Sequence, residues 1–178
     1  PIDQEGVETK PIKLISGVSP FCETFFNDAR AEKTDLLGDL NDGWSVVKRL
    51  LQHERQSQTQ AGSGGGGGNK KTITDMAREY VGVDESGALV DSDLRSRLVD
   101  HLMDGKAHSL TVTRITAEAK GNVEVSAAAS ILKNSATRIS QTKAELSLEI
   151  MGSQGVGWEG DHYSSEELGA VRDWLWGK

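Results

Sequence analysis

Residues 92–120 read SDLRSRLVDHLMDGKAHSLTVTRITAEAK and place apolar or small side chains at helical spacing. Side chains three or four positions apart share one face of an α-helix, so this repeat predicts an amphipathic helix from Asp91 to about Lys120. Gly105 weakens the middle of the helix because glycine has a low helix propensity. The positions expected to face the core are Leu94, Leu98, Leu102, Ala107, Leu110, Thr113 and Ala117.

A second long helical stretch, residues 123–151, follows a Gly-Asn pair at 121 and 122. It reads VEVSAAASILKNSATRISQTKAELSLEIM. Two long helices with so short a connection are typical of an antiparallel helical hairpin. The expected core positions of the second helix are Ala128, Ile131, Leu132, Ala136, Ile139, Leu146 and Ile150.

Two further helices complete the predicted core. One begins after Asn41 or Asp42, either of which is a good N-cap, and reads GWSVVKRLLQHERQ; the other is the terminal segment SSEELGAVRDWLWGK. A short helix is also expected over residues 72–81. The fold class predicted from these elements is mainly α: an up-down four-helix bundle with a short β remnant at its N-terminus.

The β remnant is predicted within residues 10–26, KPIKLISGVSPFCETFF, as two short strands interrupted by Gly17 and Pro20. Residues 27–41 form a polar loop. The expected division is therefore 1–41, the end of a β-domain with its connecting loop, and 42–178, the helical bundle. Five consecutive glycines make residues 56–71 a flexible loop, and Asn69 breaks the register that a phosphate-binding loop requires.

Composition excludes several classes of function. The 178-residue chain has a net charge of −7, which argues against nucleic acid or an anionic membrane surface as the main partner. Its one cysteine, Cys22, allows no internal disulfide and favours a reducing, cytoplasmic compartment. The four histidines lack metal-ligand spacing, and no apolar run is long enough to span a membrane. Both ends look cut, so we expect a piece of a longer protein.

One carboxylate lies where the helical pattern asks for an apolar residue. On a helix, Trp44, Val47, Leu50, Leu51 and Glu54 fall on one face. The carboxylate could be a structural member of an ion pair or emerge into water at the helix end. It could also be a catalytic base, since apolar surroundings disfavour the charged form of a carboxylate and strengthen it as a proton acceptor.

Two ordered stretches carry a family resemblance. The run FCETFFNDARAEKTDLLGDLNDGWSVVKRLLQHER resembles the acyl-CoA dehydrogenase family at the junction between its central β-domain and its C-terminal helical bundle. The run SILKNSATRISQTKAELSLEIMGSQGVGW resembles the later helix and glycine turn of the same bundle. The resemblance implies an acyl-CoA dehydrogenase C-terminal domain and FAD-dependent α,β-dehydrogenation of an acyl-CoA thioester to a trans-2-enoyl-CoA.

The resemblance also implies roles for particular residues. Glu54 matches the catalytic base of isovaleryl-CoA and long-chain acyl-CoA dehydrogenases, whereas many other members carry the base on a late loop that would follow Lys178. Arg55 would help to hold the CoA-bearing substrate, or else form a surface or intersubunit salt bridge. The turn expected to contact FAD of a neighbouring subunit comprises Glu149, Ile150, Met151, Gly152 and Ser153, although its glycine is equally explained as a helix C-cap.

Some positions depart from the family pattern. QSQTQAGSGGGGGNKK replaces the usual segment with an Arg-Phe-Gly motif, Ser153 replaces a glycine and Glu32 replaces a proline. The flavin contacts are therefore the least certain part of the resemblance.

The expected partners of the intact protein follow from the family. They are FAD, an acyl-CoA substrate of fatty acid metabolism, an electron-transfer flavoprotein as electron acceptor, and further copies in a homo-dimer or homo-tetramer. We expect the 178 residues alone to bind no FAD and to be inactive. The alternative is a non-catalytic helical oligomerisation module, in which Glu54 belongs to a structural ion pair.

Overall fold

The computed structural model describes residues 2–61, 71–120 and 129–178, with side chains except at 52, 55–61, 119–120 and 129–130. The chain forms two compact units, Pro1–Gly62 (unit 1) and Ser63–Lys178 (unit 2), and each is described by itself. The predicted domain division between residues 41 and 42 stays a prediction. The Gly-Asn turn at 121–122 and most of the predicted glycine-rich loop lie outside the described residues.

Unit 1 begins with a β-hairpin. Strands β1 (Val7–Ile12) and β2 (Phe21–Phe26) pair antiparallel, with Val7 opposite Phe26. The turn between them is held by hydrogen bonds from the Leu14 N–H to the Val18 carbonyl and from the Gly17 N–H to the Leu14 carbonyl, both 2.9 Å. The two predicted strands are confirmed, with β1 beginning earlier than Lys10. The polar loop that follows contains a single 3₁₀ turn at Lys33–Asp35.

Helix α1 of unit 1 spans Gly43–Ala61. Asp42 precedes its first residue, and the Asp42 carboxylate accepts a hydrogen bond of 2.7 Å from the Ser45 hydroxyl. The helix therefore continues into the loop predicted over 56–71. Gln, Ser and Thr are compatible with a helix, so α1 has no local reason to stop before the glycines.

The described part of unit 2 contains four α-helices: α2 (Ile73–Tyr80), α3 (Ser92–Lys120), α4 (Ala129–Met151) and α5 (Ser165–Trp176). A 3₁₀ turn at Gly152–Val156 follows α4. The predicted positions of all four helices are confirmed where they are described. Two of them begin with a capping box, formed by Thr72 with Asp75 and by Ser164 with Glu167.

Helix α4 is the centre of unit 2, since α2, α3 and α5 all pack against it. Arg97 meets Glu149, and further along Ser135 meets His108, so α3 and α4 run antiparallel. Ile73 and Ala77 of α2 join leucines of α3 and α4 in one apolar core. The sequence predicts α1 as one of the four core helices, and this stays a prediction; within unit 2, helices α2, α3 and α5 pack on α4. The mainly helical fold class is confirmed.

The buried face of α3 differs from the predicted face. The buried residues are Leu94, Leu98, His101 and Ile115, with Gly105, His108 and Val112 half-buried. Successive members of this set are alternately four and three residues apart, which is the spacing of residues that face a packed neighbouring helix. The predicted positions Leu102 and Leu110 are exposed, because successive steps of four residues drift around the helix away from that contact.

Among the described helices, none has a stretch long and apolar enough to cross a membrane.

Candidate functional site

Glu54 lies in α1 of unit 1 and is exposed. The apolar face that it continues is exposed as well: Trp44 is 70% and Leu50 64% accessible. The expectation of a buried face is therefore not met within the described residues. The face and its carboxylate are instead presented at a surface, which is where a substrate or another part of a larger protein could cover them.

The other predicted residues of the site fall in different places. Arg55 follows Glu54 in α1, but its side chain lies outside the described residues. The predicted cofactor turn, from Glu149 to Ser153, belongs to unit 2. Glu54 and the turn are thus in separate units.

Each residue of the predicted cofactor turn has a clear structural position. Ile150 and Met151 are buried, and Ile150 is part of the core of unit 2. Gly152 follows the last residue of α4 and adopts φ +55°, the left-handed conformation typical of a helix C-cap glycine. Ser153 is exposed. Gly152, Ser153 and the Glu149 side chain are therefore the exposed parts of the turn, whereas Ile150 and Met151 are not presented to a ligand.

The glycines of this turn provide a test of whether a cofactor fits. No heavy atom lies within 4 Å of the position that a Cβ on Gly152 would occupy, so the space beside its backbone is open. A Cβ on Gly155 would lie 2.5 Å from the Leu148 carbonyl oxygen, so this glycine is required by the chain itself. The open space beside Gly152 is compatible with the approach of a cofactor to the backbone there.

Glu149 has a partner that the sequence analysis missed. The Arg97 guanidinium donates to both oxygens of the Glu149 carboxylate, with Nη1 2.7 Å from Oε2, and its Nε donates to Asp93 at 2.9 Å. These hydrogen bonds lower the pKa of Glu149 and raise the pKa of Arg97. The Asp93–Arg97 spacing was a local signal, but nothing local pointed to Glu149, which lies 52 residues away.

A second network, also missed, joins the end of α2 to the start of α5. The Tyr80 hydroxyl donates to Glu167 Oε1 at 2.8 Å, and the Ser164 N–H donates to Glu167 Oε2 at 2.6 Å. The backbone hydrogen bond from Ser164, followed by that from Tyr80, lowers the pKa of Glu167. The Ser-x-x-Glu pattern at 164–167 could have revealed the capping box, but not Tyr80.

This network borders a groove of about 600 Å³ between α2, α4 and α5. Met76, Met151 and Trp176 give the groove apolar walls. Its charged lining is mixed: Lys71, Lys143, Glu166, Glu167 and Asp173. Lys71 pairs with Glu79 at 2.8 Å and lies 4.0 Å from Glu166.

The Tyr80 hydroxyl should lose its proton only at an unusually high pH. Burial, with help from the Glu167 hydrogen bond, raises the pKa of Tyr80 to about 12. The chain has two tyrosines, so Tyr163→Phe leaves Tyr80 as the only phenol. We expect its ultraviolet titration midpoint near 12, and a smaller shift once Glu167→Gln removes the negative charge. A midpoint near the ordinary value of about 10 in Tyr163→Phe would contradict both the burial of the phenol and its hydrogen bond to Glu167.

His101 is buried between α3 and α4, and no hydrogen-bond partner for its Nδ1 occurs in the described structure. Burial and then the nearby positive charge of Lys143 lower the pKa of His101, while Asp104 opposes them. The unfolded chain therefore binds a proton here more readily than the folded chain. Stability that is complete above the unfolded pKa of about 6.5 is lost as the pH falls through the lower folded value.

We expect the wild-type midpoint of urea unfolding to fall more between pH 7 and pH 5 than that of His101→Gln. The difference isolates His101 because the other three histidines are present in both proteins. The carboxylates with lowered pKa, Glu149 and Glu167, affect stability mainly below about pH 4.5. Equal pH slopes for the two proteins would contradict the lowered pKa.

The His108–Ser135 pair of α3 and α4 is not a catalytic pair. His108 Nδ1 lies 2.7 Å from the Ser135 Oγ beside a cavity of about 330 Å³ between α3 and α4. Both residues are in helix interiors, where backbone N–H groups are already used, so no oxyanion site is available to make Ser135 a nucleophile.

Within residues 2–61, 71–120 and 129–178 there is no cluster of three or more potential metal ligands.

The geometry can now be compared with known proteins. The sequence model of the acyl-CoA dehydrogenase C-terminal domain matches residues 41–170, which include α1 and almost all of unit 2. This chain belongs to the acyl-CoA dehydrogenase family. The family resemblance drawn from the two sequence runs is thereby confirmed.

Individual acyl-CoA dehydrogenases match parts of the chain. Acyl-CoA dehydrogenase IpdE1 of Mycolicibacterium smegmatis is 35% identical over 99 residues, 56% of this chain and 24% of that protein. Acyl-CoA dehydrogenase FadE34 of Mycobacterium tuberculosis is 26% identical over 153 residues, 85% of this chain and 20% of that protein. The aligned regions thus span at most about a quarter of these relatives' lengths.

Two solved structures share the fold of the chain. A structure titled Tcur3481-Tcur3483 steroid ACAD has a TM-score of 0.71 at 20% identity and covers 99% of this chain and 45% of its own. The ChsE4-ChsE5 complex from Mycobacterium tuberculosis has a TM-score of 0.69 at 16% identity, with coverage of 99% and 45%. The fold of these structures is therefore shared along almost the whole chain.

Proposed function

We propose that this chain is the C-terminal part of an FAD-dependent acyl-CoA dehydrogenase that converts an acyl-CoA thioester to a trans-2-enoyl-CoA. The observation that carries the proposal is the family match over residues 41–170. Within that stretch, the sequence resemblance alone assigns Glu54 and Arg55 to the catalytic base and its neighbouring arginine. The chain supplies the base and part of the cofactor contact, and the rest of a full-length protein supplies the remainder.

Glu54 is the proposed base. Its exposed carboxylate continues an exposed apolar face of α1, so an acyl chain lying along Trp44 and Leu50 would bring its α-carbon to the carboxylate. The α-carbon–hydrogen bond breaks and the proton passes to a Glu54 oxygen. Bound FAD supplies the electron sink that accepts the β-hydrogen with its electron pair, and the former C–H electron pair forms the Cα–Cβ double bond. Covering the apolar face also excludes water from the carboxylate.

Arg55 is proposed to hold the substrate. An arginine next to the base in the sequence suits a phosphate or carbonyl of the CoA portion, since guanidinium groups bind such oxygens well. In the alternative it forms a salt bridge at a surface or between subunits.

The turn Glu149–Ser153 is proposed to contact FAD of a neighbouring subunit. The support is the open space beside Gly152 and the exposure of Ser153. Backbone N–H groups without a neighbouring Cβ can approach a pyrophosphate or ribose closely. The side chains of Ile150 and Met151 take no part, because both are buried.

The acyl group, the electron acceptor and the assembly belong to the full-length protein. Fatty acyl-CoA remains the substrate class predicted from the family, and an electron-transfer flavoprotein remains the predicted acceptor. One similar structure is titled a steroid ACAD and another is a complex of two differently named chains. We therefore include steroid-derived acyl-CoAs as candidate substrates, and a heteromeric assembly beside the predicted homo-oligomer.

The test uses the full-length protein, purified with FAD and mixed anaerobically with a panel of straight-chain, branched and steroid-derived acyl-CoAs. Loss of the oxidised flavin absorbance with at least one substrate, together with formation of its 2-enoyl-CoA, supports the proposal. Tight flavin binding without reduction by any member of a broad panel would argue for another role.

A second candidate is a non-catalytic assembly module. The exposed apolar face of α1 favours it, because such faces are common at interfaces between subunits. In that case Glu54 forms an ion pair with the partner. Trp44→Ser would then dissociate the assembly in analytical ultracentrifugation, whereas a substrate-facing Trp44 would leave the assembly intact and change the substrate KM.

A further inference from the structure

The end of α4 is held from both sides. On the inner side, Ile150 and Met151 are buried in unit 2. On the outer side, Arg97 of α3 holds the Glu149 carboxylate through two hydrogen bonds, one from each terminal guanidinium nitrogen. Gly152, whose backbone has open space beside it, lies only three positions after Glu149 in the sequence.

Arg97 is itself oriented. Its Nε donates to Asp93 one turn earlier on α3, at 2.9 Å, so all three guanidinium nitrogens are engaged. Exposed single ion pairs add little to stability, but a bidentate arginine–carboxylate pair fixes geometry. The Arg97 side chain is 44% exposed, so its charge is not buried. Its two hydrogen bonds fix the position of the Glu149 carboxylate.

We propose that Arg97 is a positioning residue which, by clamping Glu149, holds the Gly152–Ser153 backbone where it meets the cofactor. The inference rests on the proposed function. Both Glu149 oxygens already face Arg97, so Glu149 acts by being held rather than by binding the cofactor itself. Because Glu149 is fixed at the end of α4, the left-handed conformation of Gly152 gives the backbone at Gly152 and Ser153 a defined direction.

The test measures the dissociation constant of FAD from the full-length protein, by titrating flavin-free protein with FAD. A misplacement of about 1 Å can cost about a hundredfold where geometry is critical; with the inner anchor intact, we expect Arg97→Met to weaken FAD binding about tenfold. Arg97→Lys should recover only part of the loss, because an ammonium cannot form the bidentate pair. The matched control is Arg114→Met, on the same helix and paired with Glu118 in the described part of the chain, and it should bind FAD normally.

A double-mutant cycle separates positioning from electrostatics. If Arg97 acts through Glu149, then Glu149→Gln weakens FAD binding similarly and the double variant is no worse than either single variant. If the double variant regains wild-type affinity, the loss came from an unpaired carboxylate near an anionic cofactor, and the positioning role is overturned.

Thermal unfolding of the same variants identifies a merely structural role. If Arg97→Met lowers the melting temperature but leaves the FAD dissociation constant unchanged, the clamp only stabilises the bundle and the inference is wrong. A wild-type protein that binds no FAD overturns the proposed function together with this inference. Normal FAD binding by both wild type and Arg97→Met overturns the positioning role alone.

Discussion

Glu54→Gln in the full-length protein should slow reduction of the bound flavin by an acyl-CoA substrate about a thousandfold, with substrate binding largely retained. Glutamine has nearly the same size as glutamate but cannot accept the α-proton, and general base catalysis typically contributes a factor of about 10² to 10⁴. The rate is measured by anaerobic stopped-flow absorbance, and binding by the spectral shift of the flavin when acyl-CoA is added.

Two control variants sharpen this result. Glu23→Gln changes an exposed carboxylate on β2 of the same unit and should reduce flavin at the wild-type rate. Glu54→Asp retains a base but withdraws it by one methylene, so an intermediate rate is expected. Wild-type rates for Glu54→Gln would show that this carboxylate is structural and that the base lies elsewhere in the full-length protein.

Leu98→Ala should give the largest loss of stability among single substitutions in unit 2. Leu98 is 4% accessible and belongs to the cluster formed by α2, α3 and α4. Truncating a buried leucine removes its apolar burial and leaves a cavity, which typically lowers the free energy of unfolding by about 2–5 kcal/mol. Urea denaturation of the 178-residue chain, followed by circular dichroism, measures the change.

Leu102→Ala is the matched control, one helical turn further along α3. Leu102 is 44% accessible, so its truncation should cost well under half as much. The comparison also tests the observed buried face against the predicted one, since sequence analysis placed both leucines on the core face. Equal losses for the two variants would contradict the position of α3 in the bundle.

Much of the helical architecture was predictable because its signals are local. The helix expected from Asp91 to about Lys120 is observed at Ser92–Lys120, and the one expected over 72–81 at Ile73–Tyr80. Helical repeats and caps act over three or four residues, so they can be read without knowing the partner. Local signals fix the ends of helices less well: α1 extends to Ala61, although the sequence predicted a loop from residue 56.

The candidate site was only partly predictable. The family resemblance selected Glu54, Arg55 and the turn at 149–153, but it could not say what Glu149 contacts. Arg97 lies 52 residues away, and Tyr80 lies 87 residues from Glu167. No periodic pattern links such pairs, since each depends on how two helices are placed side by side.

Local sequence was therefore enough for the existence and type of the helices, for the β-hairpin and for membership of the family. Tertiary packing alone decided which face of α3 is buried, which carboxylates are clamped and which part of the cofactor turn stays open. The reason is geometric: backbone propensity and capping depend on near neighbours, whereas the register between α3 and α4 depends on the fit of two complete surfaces. Leu98 and Leu102 look alike in sequence, and only that register places one in the core and the other at the surface.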